Sequence, residues 1–136
     1  MSSSPDVPHL SPCTARNGSF ALMADCLFCK IVAGDVPSRE VASTARTYVF
    51  HDINPAAPVH VLVVPREHIT NAAEVGPEHR DILIDMMTTA RDVAEQLGVA
   101  DTGYRLVFNV GEHALNSVPH LHMHLLGGHQ MGWPPG

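Results

Sequence analysis

No apolar run in this 136-residue chain approaches the ~20 residues that a helix needs to cross a bilayer, so a helical membrane span is excluded. Basic residues are few, 8 Lys and Arg against 14 Asp and Glu, and they form no cluster. With a formal net charge of −6, the chain lacks the footprint that neutralises a run of phosphates. An extended nucleic-acid partner is thereby disfavoured, while a small anionic ligand is not. The opening MSSSPDVPHLSPC has neither a basic n-region nor an apolar h-region, and the expectation is a soluble, cytoplasmic protein. No internal repeat is present. What remains is an ordinary globular composition, 45% hydrophobic and 16% charged, in a length that fits one domain with its own core.

Residues 1–22 are rich in Ser and Pro and carry no periodicity. They read as a disordered N-terminal extension, with the folded domain expected over 23–136. CLFCKIVAG (26–34) reads as a short apolar helix closed by Gly34. YVFHDI (48–53) and HVLVVP (60–65) read as strands joined by the turn-forming NPAAP. From Gly76 to Gly98, Leu83, Met86, Met87, Ala90, Val93, Ala94 and Leu97 recur at helical spacing behind Pro77, which predicts one long amphipathic helix. YRLVFNV (104–110) is a further strand, followed by the loop GEHALN and a strand through the histidines of SVPHLHMHLLGGH. Strands and helix in this order predict an α+β fold with an antiparallel sheet. His79 and His113 read as exposed helix and loop residues.

His120, His122 and His124 alternate with Leu121, Met123 and Leu125. On a strand the three imidazoles line one face while the apolar residues enter the core. Adjacent imidazoles must share protons or ligands at neutral pH. That leaves a metal site, a phosphate site with a histidine nucleophile, or both, against a plain solvated strand. The pair Cys26 and Cys29 has the spacing of zinc ligands, a redox dithiol or a disulfide. A reducing cytoplasm and the lack of a surrounding βαβ pattern favour zinc, which needs two further ligands for a closed tetrahedral site.

HLHMHLL (120–126) resembles the signature of the histidine triad (HIT) superfamily. HDINPAAPVHVLVVPREHI (51–69) is similar to that family's nucleoside-binding strand pair, and GGHQMGWPPG (127–136) to the C-terminal tail of its HINT branch, the purine nucleoside phosphoramidases. The resemblance covers about residues 26–136. It implies a HIT-like α+β fold with an antiparallel sheet of about five strands, one long helix and one short helix. It also implies a homodimer, in which Trp133 reaches towards the partner's site.

The activity implied is hydrolysis of the P–N bond of purine nucleoside 5′-phosphoramidates, releasing AMP or GMP through a covalent nucleotidyl-histidine. His122 matches the nucleophile. His124 and His60 match the histidines that hold the phosphoryl oxygens and the nucleophile's tautomer, and Asn109 and Ser117 match polar residues at the phosphate and leaving group. Asp52 matches the acidic residue that accepts from the ribose hydroxyls. Leu27, Phe28, Ile31, Phe50, Ile53 and Val118 match the slot around the base, with His51 at its rim. In zinc-containing members, usually bacterial, the ligands match Cys26, Cys29, His68 and His120, so a structural zinc is implied and no organic cofactor. Two alternatives stand beside this reading: a nucleotide-sensing HIT protein with little turnover, and a dinucleoside polyphosphate hydrolase, which the WPPG tail disfavours. One departure is plain. Leu115-Asn116-Ser117-Val118 stands where the family carries a Gly-Gln-Ser-Val type of run, and leucine lacks glycine's backbone freedom, so the loop beside the phosphate is expected to be reshaped.

Overall fold

Two runs of β-branched and aromatic residues form the centre of the molecule. The computed structural model, which describes residues 26–136, places strand β2 at Thr47–His51 and strand β3 at Val59–Pro65, paired antiparallel with Val49 opposite Val63. Both are buried along nearly their whole length, which is why neither alternates polar with apolar. The two faces nevertheless divide by parity. Val49, Val61 and Val63 enter one core, whereas Tyr48, Phe50, Leu62 and Val64 enter a second.

Strand β5 (Met123–Gly127) pairs with the free side of β3, β4 (Tyr104–Phe108) pairs with β5, and β1 (Glu40–Ser43) flanks β2. The result is a five-stranded antiparallel sheet in the order β1-β2-β3-β5-β4. Helix α1 (Leu27–Ala33) covers one face through Phe28, Cys29, Ile31 and Val32. Its ends are marked locally: the Sγ of Cys26 accepts the Cys29 N–H, and Gly34 takes the left-handed conformation at φ 85°. Helix α2 (Arg80–Gln96) covers the opposite face with Met86, Ala90, Val93 and Ala94. Met87, expected on the same stripe, is 46% exposed at its flank. This is the expected α+β architecture.

One strand was not anticipated and two local expectations are corrected. β1 has only four residues, lies at a sheet edge and is half covered, so it carries too little apolar pattern to be read from sequence. His79 is not exposed. It closes the turn Pro77–His79 that leads into α2, its Nδ1 accepting the Gly76 N–H, and is 1% accessible with the Glu67 and Glu78 carboxylates 3.8 and 3.9 Å away. The three triad histidines do not share a strand, because β5 begins at Met123, opposite Val63. Pro119 offers no N–H for a ladder, and the Leu121 N–H bonds to the Ile69 carbonyl instead of a sheet partner. The alternation survives outside the sheet, since Leu121, Met123 and Leu125 all enter the α2-side core.

The boundary expected at residue 22 lies outside the described residues. Among the described residues no helix is long and apolar enough to cross a membrane.

Candidate functional site

His122 is held by its own chain. Its Nδ1 lies 2.8 Å from the carbonyl oxygen of His120, and a carbonyl only accepts, so Nδ1 carries the hydrogen and the Nε2 lone pair is left available. The ring of Phe28 stands edge-on to the imidazole, 5.1 Å between centroids at 87°. Helix α1 thus fixes the ring plane while the backbone fixes the tautomer.

His124, on β5, and His60, on β3, meet across the ladder, with His60 Nε2 2.9 Å from His124 Nδ1. The Ala56 N–H donates to His60 Nδ1 at 2.9 Å, so a neutral His60 carries its proton on Nε2. That N–H donates to His124 Nδ1, and the proton of a neutral His124 is then on Nε2. Burial, followed by the charges of His122 and His60, pushes the pKa of His124 down to about 4, with Asp52 opposing. Burial also lowers His60, again against Asp52. Both rings are neutral at pH 7 and the pair ends in an N–H donor suited to a phosphoryl oxygen.

A second group gathers under α1. The sulfur of Cys26 lies 3.3 Å from His120 Nδ1, and that of Cys29 lies 3.3 Å from His68 Nδ1 and 3.4 Å from His120 Nδ1. One donor atom from each of the four residues falls within 4.8 Å of the others, the dimensions of a tetrahedral metal set of two sulfurs and two nitrogens. His120 Nε2 lies 2.9 Å from the Pro65 carbonyl, so its hydrogen points away and its Nδ1 lone pair points at the sulfurs, as a metal-bound imidazole requires. Desolvation by complete burial holds the His120 pKa down to about 3, keeping that lone pair free. Cys26 is a free thiol whose pKa burial raises, and a bound cation requires the thiolate form of each sulfur. The donor set fits zinc.

The remaining candidates are spread more widely. Phe28, Ile31 and Phe50 are buried in the core beneath α1 and Val118 packs against it. Leu27 is 46% and Ile53 90% exposed. His51 is half-buried, and burial lowers its pKa. Asp52 lies beside His60, its Oδ2 3.4 Å from Nε2, rather than apart from the imidazoles. Asn109 is half-buried just beyond β4, and Ser117 is exposed. Among the described residues, the side-chain hydrogen bonds of the triad run to His60, to the sulfurs of Cys26 and Cys29 and to carbonyls, not to these two.

Leu115 adopts φ 62°, ψ 36° at the end of the turn Glu112–Ala114. Leucine holds this left-handed conformation at a cost of about 1–2 kcal/mol that glycine would not incur. Two elements of the site were invisible in the sequence, the Ala56 N–H and the Pro65 carbonyl, because backbone groups carry no residue signature.

Comparison with known proteins agrees with this geometry. The HIT domain family matches residues 33–131. A purine nucleoside phosphoramidase of Escherichia coli (strain K12) is 42% identical over 106 residues, spanning 78% of this chain and 89% of that one. A 14 kDa zinc-binding protein of Zea mays is 43% identical over 112 residues, 81% of this chain and 87% of the other. Among solved structures, a HIT family hydrolase from Clostridium thermocellum superposes with a TM-score of 0.78 at 50% identity, covering 79% of this chain and 94% of that one. With its sheet, its paired imidazoles and these relatives taken together, the chain belongs to the histidine triad family, in its HINT branch.

Proposed function

We propose that this HIT-family hydrolase cleaves the P–N bond of purine nucleoside 5′-phosphoramidates, with His122 as nucleophile. The observation that carries the reading is the bond between His122 Nδ1–H and the His120 carbonyl at 2.8 Å. It commits the Nε2 lone pair to attack without any prior proton transfer. That pair forms a bond to the α-phosphorus as the P–N bond breaks, and the amine departs with the bonding electrons and one proton taken from solvent. Water then attacks phosphorus and gives one proton back to solvent, while the P–Nε2 bond breaks and its electron pair returns to His122, so that the net reaction consumes one water and yields a nucleoside monophosphate and an amine. The N–H ending the His60–His124 pair meets the phosphoryl oxygens, and Asn109 and Ser117 serve the phosphate and leaving group.

The base lies against Phe28, Ile31, Phe50 and Val118, rimmed by Leu27, Ile53 and His51, with Asp52 meeting the ribose. The purine preference is supported by the name of the E. coli relative. Zinc, held by Cys26, Cys29, His68 and His120, ties α1 to the segment before β5, and four protein ligands leave it no open position for substrate, which makes its role structural. No organic cofactor is required. The working form is a cytoplasmic homodimer in which Trp133, 82% exposed in the single chain, reaches towards the partner's site.

The test is hydrolysis of a fluorogenic adenosine 5′-phosphoramidate by the unaltered protein and by His122→Ala. Turnover is expected to fall by about a thousandfold or more in the variant, with AMP binding retained. An unaltered protein that binds AMP tightly and releases no amine would instead be a nucleotide sensor. Release of AMP from a dinucleoside polyphosphate in preference to the phosphoramidate would move the substrate class.

A further inference from the structure

Asp52 is placed for more than a ribose. Its Oδ1 accepts the Asn54 N–H at 2.8 Å, which fixes the carboxylate, and its Oδ2 lies 3.4 Å from His60 Nε2 with 19% of the side chain exposed. His60 Nε2 is thus flanked by two acceptors, His124 Nδ1 at 2.9 Å and Asp52 Oδ2 at 3.4 Å. The other nitrogen of His60 is committed to the Ala56 N–H. Every lone pair within the His60–His124 contact is occupied, so the proton order of the pair has one arrangement that satisfies all its members. An anion beside the shared hydrogen favours that arrangement and stabilises any positive charge the pair acquires.

We propose that Asp52 is a positioning residue for the phosphoryl chemistry, acting through His60 to hold the N–H of His124 towards the phosphoryl oxygens. A carboxylate that served the ribose alone would bind nucleoside without affecting the imidazoles. One that orients the pair also decides how readily the donor at its end is maintained as negative charge grows on the phosphoryl group. The titratable groups acting on the pair are Asp52, from the segment after β2, and His122, from the segment before β5.

The kinetic side of this inference rests on the phosphoramidase reading, so the deciding experiment has an arm that does not. In the full chain, imidazole 15N and 1H spectra of His60 and His124 are followed from about pH 8 down to about pH 2.5 for the unaltered protein and for Asp52→Asn, which keeps the size and removes the charge. The variant is expected to move the titration of both rings down by about one pH unit and to disturb the Nε2–H form of His60. On the phosphoramidate, kcat is expected to fall in the variant whatever happens to KM. Titrations that stay in place, or a rise in KM alone with kcat unchanged, overturn the proposal. If the unaltered protein turns over no phosphoramidate, the substrate reading fails while the spectra still decide the role of Asp52.

Discussion

The cluster of Cys26, Cys29, His68 and His120 and the cluster of Asp52, His60 and His124 each gather their donor atoms within 4.8 Å, yet their hydrogen bonds direct them to opposite chemistry. In the first, the Pro65 carbonyl takes the outward hydrogen of His120, so the atom facing the cluster is a bare lone pair beside two sulfurs. Such a set is completed by a cation. In the second, the Ala56 N–H fills the outward nitrogen of His60, which puts a hydrogen inside, where His124 accepts it. That set is complete without a cation and offers its remaining N–H to an anion. One backbone carbonyl and one backbone amide decide which histidines suit metal and which suit phosphate.

The sharpest way to break this contrast is to count metal. Under reducing conditions, zinc titration is expected to saturate at one tight equivalent per chain and to be abolished by Cys26→Ser. The same variant is expected to lower the melting temperature of the zinc-loaded protein by about 10 °C or more, because binding energy at such a site is folding energy. A second tight equivalent that disappears in His124→Ala would refute the distinction.

A smaller effect is expected from acid. The pKa of His124, about 4 in the folded protein, lies below the ~6.5 of an unfolded histidine. Between those values the unfolded chain binds more protons, so stability is greatest above about pH 6.5 and declines as pH falls towards 4. Urea unfolding across that range, compared with His124→Gln, measures the contribution. The slope is expected to flatten in the variant, and an unchanged slope would assign the acid sensitivity elsewhere.

The least effect belongs to Leu115→Gly. Leu115 is 84% exposed, so little packing is lost, and relief of the left-handed strain is partly offset by the greater freedom of glycine in the unfolded chain. A net stabilisation of up to about 1 kcal/mol is expected, read as a rise in the urea midpoint. A destabilised variant would mean that the leucine side chain has a partner in solution.

Much of this was legible in the sequence because it is local or periodic. The seam of Leu121, Met123 and Leu125, the helical stripe of α2 and the two buried strands each follow from one repeat of side-chain direction. The residues of both clusters were named through the HIT resemblance, and the structure brings each set together. The strand limits at the triad were misread, since period 2 persists at His120 and His122 in extended chain that has already left the sheet. The burial of His79 was misread as well, because a polar residue at a helix start ordinarily faces water and here closes a turn against α2. Illegible altogether was the division of labour among the imidazoles. It depends on Ala56 and Pro65, whose contribution is main-chain and tertiary.

Strand β3 carries His60 between two cores that claim alternate residues: Val61 and Val63 on one side, Leu62 and Val64 on the other. A slip of one residue would exchange the two sets and carry His60 away from His124 in the same movement. Along Val59–Pro65, then, lesions that abolish activity will also deplete the protein in a cell. A screen for inactive variants there will recover instability before it recovers chemistry, and should be read alongside abundance.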